Sequence, residues 1–210
     1  MKRLVIIGAG GHGKVAADIA LLNGFKDICF VDDDTSLLGT RILGFPVMGA
    51  LDTVDVRSGS DDVFVAIGNA SVRKRVFSTL ASQGIVPVTL CHPSVCIGAD
   101  VRIGVGTLLA AGAIVNPGAN VGKGCIVNTG ATVDHDCFIG DFCHVSVGAH
   151  VAGTVVVGED TWIGAGAVVS NNVDIVSGCM IGAGAVVVND IAAAGTYVGI
   201  PARLMKRGAE

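Results

Sequence analysis

From Ile97 to Val187 an aliphatic residue recurs at every sixth position. The series is Ile97, Ile103, Leu109, Val115, Val121, Val127, Val133, Ile139, Val145, Val151, Val157, Ile163, Val169, Ile175, Ile181 and Val187. Four residues after most of these comes a small or β-branched side chain, as at Ala113, Ala119, Cys125, Ala131, Cys137, Cys143, Ala149, Thr161, Ala167, Cys179 and Ala185. A longer period of eighteen lies over the first. Gly-Ala recurs at Gly112-Ala113, Gly130-Ala131, Gly148-Ala149, Gly166-Ala167 and Gly184-Ala185. Internal periodicity of this kind marks a solenoid. Three hexads make one coil, and each hexad supplies one short strand and one corner. About five coils stack as a triangular prism, each burying its face on the next. Glycines at the turns permit unusual dihedral angles.

Residues 1 to 91 carry a different pattern. Leu4–Ile7 reads as a short apolar strand, followed by Gly8-Ala9-Gly10-Gly11-His12-Gly13 and a helix over 14–23. Ile28–Val31 reads as a second strand ending at Asp32-Asp33-Asp34. Val63–Ile67 is a third, followed by Gly68-Asn69 and a helix over 71–83, and Val86–Leu90 is a fourth. Strands alternating with helices predict a small parallel α/β sheet. The expected organisation is therefore an α/β half-Rossmann domain over 1–91 and a parallel β-helix with a C-terminal tail over 92–210.

Composition agrees with thin, repeated layers. The chain of 210 residues is 51% hydrophobic but only 4% aromatic, with 31 glycines. A net charge of −4 argues against a nucleic-acid partner, which needs a basic face. The apolar start is broken at once by glycines, and no apolar run reaches the ~18 residues of a membrane span, so the expected compartment is the cytoplasm. The seven cysteines are odd in number and contain no Cys-x-x-Cys pair. Four of them share one repeat position, which reads as packing rather than as disulfide or zinc chemistry.

The candidate chemistry lies in two places. In the N-terminal region, Gly10, Gly11 and His12 stand in a loop that matches G-x-G-x-x-G, which places backbone N–H groups where a phosphate binds. Asp32 and Asp33 end the next strand and are placed for a ribose or base edge. Half of a full dinucleotide fold argues against NAD. In the repeat, His135 stands between Asp134 and Asp136, off the inward aliphatic position. Taken alone it is either a surface histidine or a general base. His144 follows nine residues later, which places it on the next face of the prism. His150 shares His144's hexad position on the third face and reads as peripheral. A histidine-zinc site with ligands two coils apart is not expected, because Asn171 and Ala99 occupy those positions. Gly164-Ala165 and Gly182-Ala183 lie one coil apart, roughly ~5 Å at strand spacing, and leave backbone groups open to a long ligand. Arg203, Lys206 and Arg207 form a basic end, suited to phosphates or to a solvated terminus.

Residues 92–190 resemble the hexapeptide-repeat acyltransferases. Nearly the whole chain resembles the bacterial family of sialic-acid O-acetyltransferases and UDP-4-amino-sugar N-acetyltransferases. The segments that carry the likeness are GAGGHG at 8–13, Asp32-Asp33, AIGN at 66–69, NTGATVDHDC at 128–137, GDFCHVSVGAHVAG at 140–153 and VGIPARLMK at 198–206. The resemblance implies a left-handed coil, a homotrimer with clefts between prisms, and acetyl-CoA as co-substrate without a metal. It implies His135 as catalytic base oriented by Asp136, where many relatives carry Glu, with Asp134 as the second candidate for that partner. It implies His144, Gly153, Ala165 and Ala183 as acetyl-CoA contacts. The N-terminal loop, Asp32, Asp33, Gly68 and Asn69 become contacts to a nucleotide-linked amino sugar. The expected reaction is N-acetylation at the C4 amine of a UDP-4-amino-4,6-dideoxy-N-acetyl sugar, giving a UDP-N,N′-diacetylbacillosamine-type product. O-acetylation of sialic acid, a non-catalytic nucleotide-binding scaffold and an NAD-binding module are the alternatives.

Overall fold

The computed structural model describes residues 2–54, 56 and 59–205. The chain separates into two compact units, Met1–Pro93 and Ser94–Glu210.

The first unit is built on a three-stranded parallel sheet. Strand β1 (Arg3–Ile7) is central, between β2 (Ile28–Val31) and β5 (Asp61–Val65), with the hairpin β3 (Arg41–Ile42) and β4 (Phe45–Pro46) intervening in sequence. Leu4, Val5 and Ile6 of β1 are fully buried. Such two-sided burial matches continuous apolar strands covered on both faces. Helix α1 (Gly11–Leu22) begins inside the glycine motif, three residues earlier than its apolar pattern suggests, with Gly10 as N-cap. Helix α2 (Ala70–Ser82) is capped by Asn69, whose side-chain oxygen accepts from Val72 N–H at 3.0 Å. The expected fourth strand at 86–90 does not form. Pro87 lacks an N–H, and Val88 N–H donates to Val63 O at 2.8 Å. Only Leu90–Cys91 is extended in that stretch.

The second unit is a parallel β-solenoid of about six turns. Two-residue strands form its three faces. The first face runs from Cys96–Ile97 through Ile114–Val115, Thr132–Val133, His150–Val151 and Val168–Val169 to Val186–Val187. The second runs from Arg102–Ile103 to Asp174–Ile175, and the third includes Leu108–Leu109, His144–Val145, Trp162–Ile163 and Met180–Ile181. Register is in steps of eighteen: Thr132 pairs with Ile114 on one side and His150 on the other. Val115, Val133, Ile163 and Ile181 are fully buried on the prism axis. Each such side chain contributes about 1.5–3 kcal/mol through removal from water. Ile97 is 50% exposed, because its strand is the terminal one of its sheet and has no coil beneath it there.

The corners account for the six-residue period. Every sixth residue from Asp100 to Gly184 has a positive φ, without exception. Most are glycine, but Asp100, Asp136, Phe142, Thr154, Asp160 and Asn172 adopt the same left-handed conformation. Aspartate and asparagine tolerate it, whereas phenylalanine and β-branched threonine do so at a cost. Cys125, Cys137, Cys143 and Cys179 are buried just after such corners. The thiols of Cys125, Cys137 and Cys143 donate to carbonyl oxygens fifteen residues on, at 3.0–3.1 Å. Among the described residues no helix is long and apolar enough to cross a membrane.

Candidate active site

His135 lies in the corner that follows the first-face strand Thr132–Val133. Backbone bonds fix that corner to its neighbours: Asp136 N–H donates to Pro117 O at 3.1 Å, and Thr154 N–H donates to His135 O at 2.9 Å. The imidazole is 58% exposed, and its Nδ1 lies 2.9 Å from Asp136 Oδ2. Asp136 reaches back to the adjacent ring from a left-handed backbone, φ 57°. The shorter aspartate therefore spans the contact. This hydrogen bond, foremost, raises the His135 pKa above its ordinary value, with the charges of Asp134 and Asp136 adding to it. With Nδ1 so engaged, Nε2 is the nitrogen left to meet a substrate.

Asp134 does a different job. Its Oδ1 accepts from Asn116 Nδ2 at 2.8 Å and from His135 N–H at 2.7 Å. These two bonds hold its carboxyl below the usual range. Asp136, not Asp134, is the partner of the ring.

The coils on either side leave room for this pair. A Cβ on Gly153, eighteen residues past His135, would lie 2.5 Å from Nε2 and 2.6 Å from Cε1. A Cβ on Gly118, eighteen residues before Asp136, would lie 2.6 Å from Asp136 Oδ1. Gly118 is signalled in the sequence only by its offset of eighteen from Asp136.

The remaining repeat candidates do not join His135 within one chain. His144 opens a third-face strand, and the corner that holds His135 joins the first and second faces. His144 is therefore on the face opposite, not the next one. It is half-buried, stacks on Trp162 with ring centroids 4.8 Å apart, and its Nε2 lies 3.1 Å from Asn128 Nδ2. No motif in the sequence marks Asn128 or Trp162 as partners of His144. Ala165 and Ala183 are exposed in the corner between the third and first faces, where Gly184 N–H donates to Ala165 O at 2.9 Å. Gly153 thus belongs with His135 and not with these two. His150, on the first face, pairs with Thr132 Oγ1 at 3.0 Å. Arg203 is exposed and donates to Ala202 O, while Lys206 and Arg207 lie outside the described residues. No group of three or more His, Cys, Asp or Glu able to hold a metal occurs among the described residues.

The N-terminal candidates cluster at the C-terminal ends of the strands, where open α/β sheets bind ligands. A cavity of about 210 Å³ there is lined by Ile7, Gly8, Asp32, Asp33, Ile67 and Val72, among others. Gly8 needs its hydrogen, since a Cβ would lie 2.6 Å from Ala66 O. Gly10, Gly11 and Gly68 have open space where a Cβ would stand, so packing does not demand glycine at those positions. Asp32 braces the loop: Oδ2 accepts from Ala9 N–H at 2.7 Å and Oδ1 from Asp34 N–H at 2.9 Å. Asp33 is exposed and lines the cavity. His12 is in the first turn of α1, and its Nε2 is buried and meets no partner among the described residues. Burial, with the nearby Arg73 charge, lowers its pKa to about 4.

The acetyltransferase domain of PglB from Neisseria gonorrhoeae FA1090 superposes with a TM-score of 0.92 at 40% identity, covering 98% of this chain and 100% of that one. The chain belongs to the PglB/PerB family of hexapeptide-repeat acetyltransferases. Within the family, PerB from Caulobacter crescentus, solved with CoA and GDP-perosamine, has a TM-score of 0.92 at 35% identity and covers 98% of each chain. Residues 3–80 match the PglD N-terminal domain. The UDP-N-acetylbacillosamine N-acetyltransferase of Bacillus subtilis (strain 168) is 35% identical over 116 residues, which is 53% of this chain and 52% of that protein. The chain spans about half the length of the curated relatives it matches.

Proposed function

We propose that the protein transfers an acetyl group from acetyl-CoA to the C4 amine of a nucleotide-linked 4-amino-4,6-dideoxy-N-acetyl sugar. UDP-N-acetylbacillosamine is the favoured acceptor. The observation that carries this reading is the exposed His135 imidazole, with Nδ1 on Asp136 and Nε2 over the bare backbone of Gly153. Relatives support the substrate class. The Neisseria domain has also been solved with acetyl coenzyme A, and the curated relatives are named for UDP-N-acetylbacillosamine and for GDP-perosamine.

In this mechanism the acceptor amine attacks the thioester carbonyl carbon. His135 takes the amine proton at Nε2, and Asp136 stabilises the imidazolium. The tetrahedral intermediate collapses by breaking the C–S bond, and the departing sulfur takes up a proton. The products are the amide and CoA thiol. Gly10, Gly11, Gly68 and the N-terminus of α1 receive the diphosphate, His12 donates to it, and Asp33 meets the ribose or base edge. Asp32 acts through the loop that it braces. Asn69 contributes through the end of α2 that it caps. His144, Ala165 and Ala183 serve acetyl-CoA, and a homotrimer would supply them from a neighbouring prism, since in one chain they lie apart from His135.

The test is CoA release, followed as free thiol. UDP-4-amino sugar, GDP-perosamine and sialic acid are each offered with acetyl-CoA. Rapid release with the UDP sugar supports the proposal. Release with GDP-perosamine alone changes the nucleotide, and release with sialic acid alone moves the protein to O-acetylation.

A further inference from the structure

Asn116 and Asp134 stand at the same repeat position in successive coils of the first face. Asn116 N–H donates to Val133 O at 2.9 Å, which sets the coils in register. Asn116 Nδ2 then donates to Asp134 Oδ1 at 2.8 Å, and the same oxygen accepts His135 N–H at 2.7 Å. One carboxylate oxygen thus joins an amide of the coil below to the peptide that opens the His135 corner.

The fold itself does not require this bond. Ala152 occupies the equivalent position one coil on. The corner that follows it still places Thr154 at φ 60°, and Ala152 N–H still finds Val169 O at 3.0 Å. The amide–carboxylate pair therefore occurs at the coil that carries His135, and its replacement one coil on forms the same corner without it.

We infer that Asn116 and Asp134 are positioning residues for acetyl transfer. The inference rests on the reading of His135 as base. The His135–Asp136 contact joins neighbouring residues, so it orients the ring only relative to its own turn. Placement of that turn against the prism falls to the backbone bonds and to Asp134, which Asn116 anchors. A shift of about 1 Å in a catalytic group costs as much as 10²-fold in rate.

The test is a double-mutant cycle on the full chain, with kcat, KM for both substrates and melting temperature recorded. Asn116→Ala is expected to lower kcat by about 10-fold, with both KM values within about twofold of the unmutated protein, the size of a partial misplacement of the base. Asp134→Ala, which copies Ala152, is expected to do the same and serves if Asn116→Ala fails to fold. In a His135→Asn background neither change lowers the residual rate further. If His135→Asn is inactive while Asn116→Ala and Asp134→Ala keep the full kcat, the inference is overturned. A loss of equal size in both backgrounds, together with a lower melting temperature, also overturns it, as a purely structural role. If His135→Asn itself keeps the full rate, the reading of His135 as base fails first.

Discussion

The imidazole of His135 rests on the backbone of Gly153, so closely that a Cβ there would lie 2.5 Å from Nε2. Eighteen residues separate the two in sequence, and one coil separates them in space. The ring is placed by an absence of side chain on the next coil. Gly153 φ is not in the left-handed region, so the turn does not explain the glycine.

Gly153→Ala should therefore disturb catalysis more than folding. The methyl group displaces the ring, and kcat should fall by about 10–10². Steady-state kinetics beside a melting curve checks this. A variant with full kcat would show that the ring position does not matter.

Removal of the proposed base should have a larger effect. His135→Ala should lower kcat by about 10²–10⁴, the usual contribution of general-base catalysis. The measurement is CoA release with folding verified by melting temperature.

The His135 pKa is raised, chiefly by the hydrogen bond to Asp136. As the proposed base, His135 must be neutral to act, so the acidic limb of kcat/KM should lie above the ordinary histidine value of about 6.5. Asp136→Asn should move that limb down toward it. The same pair stabilises the folded state below the ordinary pKa and ceases to do so as pH rises through the raised one. The ring is 58% exposed, so solvent keeps that effect small. A pH–rate profile that Asp136→Asn leaves unmoved would exclude the pairing.

His12 behaves in the opposite sense. Its folded pKa of about 4 lies below the unfolded value of 6.5, so the unfolded chain binds its proton first. Stability is full above about pH 6.5 and falls as pH drops toward 4, by up to about 3 kcal/mol. His12→Gln should flatten this part of the stability curve, measured by urea unfolding at pH 7 and pH 5.

Thr154 is an exposed, β-branched residue at φ 60°. Thr154→Asn should relieve about 1 kcal/mol of backbone strain and raise the melting temperature by about 2–4 °C. Calorimetry of the two proteins decides it.

The solenoid was legible in the sequence because its forces are local and repeated. An aliphatic residue every sixth position, with glycine, aspartate or asparagine at most corners, specifies inward strand and left-handed turn coil after coil. Gly153 was marked only through the family resemblance, as an acetyl-CoA contact, and its place against His135 comes from the fold. In the N-terminal unit, the βα alternation was equally plain. Single backbone details were not: Pro87 removed the expected fourth strand, and α1 began inside the glycine loop. The family resemblance marked Asp136 as the partner of the ring, and the tertiary structure decided the work of Asp134. Asp134 and Asp136 flank the same histidine, and residue type does not separate them. One meets Asn116 of the coil below and a backbone N–H, and the other, turned back by a left-handed φ, meets the ring. In the same way Asp32 and Asp33 both line the cavity, but Asp32 is held by the Ala9 and Asp34 N–H groups. Short-range pattern determines where the backbone turns. Which side chain is used up in holding those turns, and which is left for chemistry, depends on hydrogen bonds between coils and loops that no single segment contains.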